Sequence, residues 1–186
     1  KKKDKTYNWL RKKNRLYEDQ LNHLRKYKVT FQNQLSICFP GYLDLFKDGY
    51  SDIPMTILKK YPHPDLLKNK KAETVARYLE KNTCHTHKVS LEYALKIIEF
   101  AKKTYPGCEK DDVEVEIFKI LLDKVIETQR ECEKTLNEMI TVASTLEEYR
   151  YISSIDGIGP NLAARIIAEI GDIEEFKSRE ALVAYA

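Results

Sequence analysis

The feature that most constrains this chain is a long apolar stripe. Val115, Phe118, Leu122, Val125, Gln129, Cys132, Leu136, Met139, Ala143 and Leu146 follow one another at alternating spacings of three and four. Gln129 is its single polar member. A strand alternates its faces with a period of two, so only an α-helix gathers these side chains on one side. The stripe therefore predicts a helix over about 111–146, of which the stretch from Val115 to Leu146 alone spans roughly 48 Å at 1.5 Å per residue. A second, looser repeat runs through Tyr7, Leu10, Tyr17, Leu21, Leu24, Phe31 and Leu35, with Asn14 and Lys28 filling two polar turns. Two such helices either pair with copies of themselves or fold into a hairpin within one chain, and a buried Gln129 would fix the register.

Composition supports an all-α class. Charged residues make up 33% of 186 residues, against 6 Gly and 6 Pro, which favours solvated helices over a turn-rich β fold. The charge is uneven. Residues 1–28 carry eleven Lys or Arg and three acids, a local +8 within a total of +3, so the remainder is −5. Arg11, Lys12, Lys13, Arg15 and Arg25 lie in this stretch and are candidate nucleic-acid contacts. The plainer reading of the same residues is a solvated helix face. Cys38, Cys84, Cys108 and Cys132 form no CxxC pair and read as reduced thiols of a cytoplasmic protein. No apolar run is long enough to enter a membrane. The missing initial Met, and an end inside the apolar run REALVAYA, read as a segment of a longer chain.

Four regions follow. Residues 1–39 form the basic heptad helix, ended by Phe39-Pro40-Gly41. Residues 40–110 form a helical connector, with short helices near 43–47 and 53–60, one at 71–81, and one at 90–104 N-capped by Ser90 and containing Leu91, Ala94, Leu95, Ile98 and Ala101. Residues 111–149 form the long heptad helix. From residue 150 onward a different pattern begins.

Residues 152–172 read ISSIDGIGPNLAARIIAEIGD. The pattern gives a short helix, a Gly157-Ile158-Gly159 hairpin, and a second helix that opens at Pro160 and stops at Gly171. Ile152, Ile155, Ile158, Leu162, Ile166 and Ile167 would pin the two helices, with Ala163 and Ala164 allowing close approach. Such a helix-hairpin-helix binds phosphate through bare backbone amides at a helix N-terminus, holding nucleic acid without reading bases. Its candidate DNA contacts are Gly157, Ile158, Gly159, Asn161 and Arg165. Asp156 sets a negative charge beside them, and a hairpin used only for packing or bracing remains the alternative.

The run from ISSIDGIGPNLAARIIAEIGDIEEF to ALVAYA closely resembles the start of the C-terminal domain of DEDD-type insertion-sequence transposases, the one-ten group. There an I-x-G-I-G hairpin precedes an IIAEIGD-like helix and an AYAG-like stretch. The LRKKNRLYEDQ, QLSICFPGY and YPHPD portions are similar to the helical region before that domain. The resemblance implies a parent enzyme with a RuvC-like domain bearing four acidic residues, a coiled-coil insert, and a transposase domain with a nucleophilic serine. It further implies DNA recombination programmed by a structured guide RNA and dependent on a divalent metal such as Mg. In that order the tetrad precedes Lys1 and the serine follows Ala186, so no catalytic residue, metal ligand or cofactor is assigned here.

Asp111-Asp112 reads as a helix start, and Ser178 as a helix cap. Cys84-His85-Thr86-His87 lacks a second ligand pair at zinc spacing. The functional expectation is thus nucleic-acid binding and homo-oligomerisation within a transposase. A helix-hairpin-helix repair accessory and a coiled-coil scaffold are the rivals.

Overall fold

The computed structural model describes residues 2–178, 180, 181 and 184. Among the described residues seven α-helices are assigned: α1 (Lys2–Cys38), α2 (Asp52–Lys60), α3 (Ala72–Asn82), α4 (His87–Lys103), α5 (Val113–Ala143), α6 (Glu147–Ser153) and α7 (Pro160–Ile170). Short 3₁₀ turns occupy Tyr42–Leu45, Pro64–Leu66 and Ile173–Glu175, and no strand occurs among the described residues. The fold is all-α, and among the described residues no helix is long and apolar enough to cross a membrane. Two compact units result. One comprises Lys1–Leu24 with Thr128–Ala186, the other Arg25–Glu127.

The Arg25–Glu127 unit is built on aromatic packing. Phe31 of α1 stacks on Phe118 of α5 with ring centroids 5.3 Å apart, and Gln34 donates to the Glu114 carbonyl at 3.0 Å. The two helices therefore run antiparallel here. Gly41, at φ +72°, turns the chain after α1, and a Cβ there would lie 3.2 Å from Phe100. The turn delivers Tyr42 into the core, where its hydroxyl donates to the Pro54 carbonyl at 3.0 Å. Burial raises the pKa of that phenol. Lys28, one of the polar turns of the heptad pattern, lies over the Tyr50 ring at 4.0 Å. His63 is fully buried. Its Nδ1 accepts from the Asp65 amide at 3.3 Å, which assigns the ring proton to Nε2, 3.1 Å from the Cys108 carbonyl.

Helix α4 begins three residues earlier than its sequence suggests. Thr86 takes the extended cap conformation. Ser90 lies inside the helix with its side chain buried, and its amide donates to the Thr86 carbonyl. A threonine suits the N-cap position as serine does, and the earlier start adds helical hydrogen bonds. Its core face is Ala94, Ile97, Ile98 and Ala101, whereas Leu95 is 57% exposed.

The other unit joins the first part of α1, the last part of α5, α6 and α7. Tyr7, Leu10, Met139, Ala143, Ala164, Ile167 and Ala168 form its core. The α5 seam departs from the strict heptad here. Thr128 and Thr135 are buried, whereas Gln129 and Leu136 are only half-buried. A straight α-helix drifts about 20° per heptad against a seven-residue repeat, so the covered face has rotated by the third heptad. Register therefore does not rest on a buried Gln129.

Candidate nucleic-acid interface

The best candidate surface lies in the unit formed by Lys1–Leu24 and Thr128–Ala186. Helix α6 ends at Ser153, and six residues later Gly159 takes the cap position of α7 with Pro160 at its first turn. Gly157 sits at φ +87°, a conformation that L side chains rarely adopt. Around both glycines the space is open, since a Cβ at either would meet nothing within 4 Å. Among the described residues the Gly157 and Gly159 amides make no backbone hydrogen bond, while Ile158 donates to the Ile155 carbonyl at 3.0 Å. Pro160 has no N–H, and the amides of Asn161 and Leu162 fall in the first turn, where a helix supplies no partner. The open donors are thus Gly157, Gly159, Asn161 and Leu162, with Ile158 closing the turn.

The side chains of this hairpin divide differently from the pattern in sequence. Ala163, Ala164, Ile167 and Ala168 are buried, and Ile152 packs against that core. Ile155 and Leu162, 55% and 45% exposed, do not pin the helices together. They flank the glycines at an apolar tip, because alanines on the inner face let α7 lie close enough that no larger residue fits between. Asn161 and Asp156 are exposed at the same end.

Arg165 points elsewhere. Its guanidinium pairs with Glu18 of α1 and lies 5.6 Å from the Tyr17 ring. Burial raises the Tyr17 phenol's pKa, an effect the nearby Arg165 charge opposes. One turn on, Asn14, buried in α1, donates to Glu169 at 2.5 Å. These contacts fasten α7 onto α1, so Arg165 holds the hairpin in place and is not at its tip.

The basic stretch of α1 also divides. Lys13 bonds Glu138 at 2.6 Å and lies 5.4 Å from the Trp9 ring centroid. That bond holds the Glu138 carboxyl below its ordinary range. Arg11 is half-buried, its guanidinium nitrogen 3.0 Å from where a Cβ on Gly171 would lie. Lys12 and Arg15 are exposed and are the cations of this group best placed for a ligand. Arg25 is exposed too, but belongs to the other unit. Residues of α5, outside the basic stretch, join the surface: Arg130, Glu133, Lys134, Asn137, Glu138, Thr141 and Val142 line, with Trp9 of α1, an open groove of about 680 Å³. Arg130 and Lys134 were hidden in a sequence that reads as a heptad helix, and only the pairing of α1 with α5 brings them beside Trp9.

Residues 149–186 match the family described as Transposase IS116/IS110/IS902 family. Over that segment the chain is similar to the insertion-sequence transposases of this group. The match takes in most of α6, the glycine turn and α7, the elements just described. Much of the ALVAYA stretch that carries the end of the match lies outside the described residues. No curated protein and no solved structure gives a significant match.

Among the described residues, no group of three or more His, Cys, Asp or Glu is arranged to hold a metal ion. His85 and His87 instead face carboxylates, Asp52 at 3.2 Å and Glu80 at 3.1 Å. Ser153 is engaged with the Tyr149 carbonyl at 2.6 Å and Ser154 with that of Tyr151 at 2.7 Å. Ser178 accepts from the Ala181 amide at 3.3 Å, the bond a helix cap makes.

Proposed function

We propose that this transposase segment grips the backbone of nucleic acid, with the α6–α7 turn as a phosphate-holding edge and Lys12 and Arg15 as a second anchor. The observation that carries the proposal is the bare turn: two glycines with no neighbour over them, amides without protein partners, and the N-terminus of an eleven-residue helix behind them. Backbone amides and a helix N-terminus favour an anion and carry no base specificity. That suits a step in DNA transposition in which position on the strand is set elsewhere. DNA is the partner the family implies, and a structured guide RNA is an alternative ligand for the same chemistry. Homo-oligomerisation, if it accompanies this role, uses a surface other than the α5 seam, because Val115, Phe118, Leu122, Val125, Met139 and Ala143 are already buried within one chain.

The test is binding to duplex DNA and to structured RNA across a salt series. Each phosphate contact contributes about 0.9 to the slope of log K against log salt on duplex DNA. Lys12→Ala with Arg15→Ala therefore lowers that slope by about 2, and Asp156→Asn strengthens binding. Arg165→Ala weakens binding only as far as it loosens the hairpin. No binding of the wild-type chain at low salt would sink the proposal and leave the hairpin as a brace on α1, a role the Arg165–Glu18 and Asn14–Glu169 contacts already serve.

A further inference from the structure

Cys38 ends α1, Cys108 lies in the segment before α5, and their sulfurs are 3.9 Å apart across 70 residues of sequence. The backbone beside them is already joined. Gly107 donates to the Ile37 carbonyl at 2.7 Å, so the residue preceding one cysteine is bonded to the residue preceding the other. A third element holds the Cys108 side, with His63 Nε2 at 3.1 Å from the Cys108 carbonyl. Cys38 Sγ lies 3.5 Å from the Glu114 carbonyl at the start of α5. A disulfide needs an S–S distance of about 2.05 Å. Rotation about the first side-chain torsions, with the backbone held as it is, supplies a movement of that size.

We propose that Cys38 and Cys108 are an oxidisable dithiol, a site of covalent modification that closes to a disulfide when a small-molecule disulfide supplies the oxidising equivalents. Cys108, half-buried where Cys38 is fully buried, is the point of entry. Its thiolate attacks the reagent, forming a mixed disulfide and releasing one thiol. The Cys38 thiolate then displaces the second thiol and completes the protein disulfide. Across both steps the two cysteines lose two hydrogens and the reagent is reduced to two thiols. Burial pushes the Cys38 thiol up to about 12 and raises that of Cys108, so both thiols of the reduced pair are protonated and react more slowly than an exposed thiol. Once closed, the bond ties the end of α1 to the entrance of α5 inside the Arg25–Glu127 unit. It closes a loop long enough to restrict the unfolded chain strongly.

The experiment incubates the whole chain with oxidised glutathione, alkylates the remaining thiols in denaturant and maps the peptides by mass spectrometry. The expected product is one peptide pair joined through Cys38 and Cys108, with buried Cys132 alkylated. Its unfolding midpoint rises by several degrees and returns to the starting value with dithiothreitol. Cys38→Ser and Cys108→Ser each remove both effects, while Cys84→Ser removes neither. Cys38 still fully alkylated after exposed Cys84 has been consumed, or Cys108 joined to Cys84, would overturn the proposal.

Discussion

Phe118→Ala tests whether the long helix is held by its own chain or by another copy. Phe118 is fully buried in the single chain and stacks on Phe31 at 5.3 Å. Truncating a buried Phe costs about 3–5 kcal/mol, the lost transfer energy plus the cavity left behind. A loss of about 4 kcal/mol lowers the unfolding midpoint of a chain of this size by roughly 8–16 °C. Ile117→Ala is the control: Ile117, the adjacent residue, is 41% exposed, and surface changes usually stay within about 0.5 kcal/mol. Thermal unfolding followed by circular dichroism gives both numbers. Repeating it over a hundredfold range of protein concentration separates the two origins of the seam, since a seam closed within one chain has a midpoint independent of concentration, whereas an intermolecular one gains stability by mass action. A midpoint that climbs with concentration, or equal losses from Phe118→Ala and Ile117→Ala, would refute the antiparallel packing of α1 on α5.

Two further outcomes are expected. Gly157→Ala costs about 1 kcal/mol because it places a side chain at φ +87°, whereas Gly159→Ala, at φ −78° with equally open space, stays within about 0.5 kcal/mol; equal effects in denaturant titrations would contradict the backbone assignment. The Asp65 carboxyl is held below its ordinary value chiefly by its hydrogen bond from Lys68. The stability this contributes is present above the unfolded-state value of 3.8 and fades as pH falls through the depressed folded-state value. Lys68→Met should flatten that acid limb and move the Asp65 titration upward in NMR, and an unmoved titration would exclude the bond as its cause.

The helices of this chain were legible in its sequence because their causes are local. A stripe at three-and-four spacing specifies a helix wherever it sits, Pro40-Gly41 and Pro106-Gly107 break one, and Pro160 and Gly171 bracket another. The glycine turn was legible for the same reason, since φ +87° at Gly157 is a property of one residue and its neighbours. What a side chain faces is not local. Arg165 and Lys13 read as free cations until α1 and α5 bring Glu18 and Glu138 against them. The same packing turns Thr128 inward in place of Gln129 and leaves Ile155 and Leu162 outside. The 3.9 Å approach of Cys38 to Cys108 spans 70 residues of sequence, and no spacing rule reaches that far. Sequence alone determined where this chain is helical and where its turn lies bare. Tertiary structure decided which charges are spent inside it, because burial and pairing depend on elements that meet only after the chain has folded.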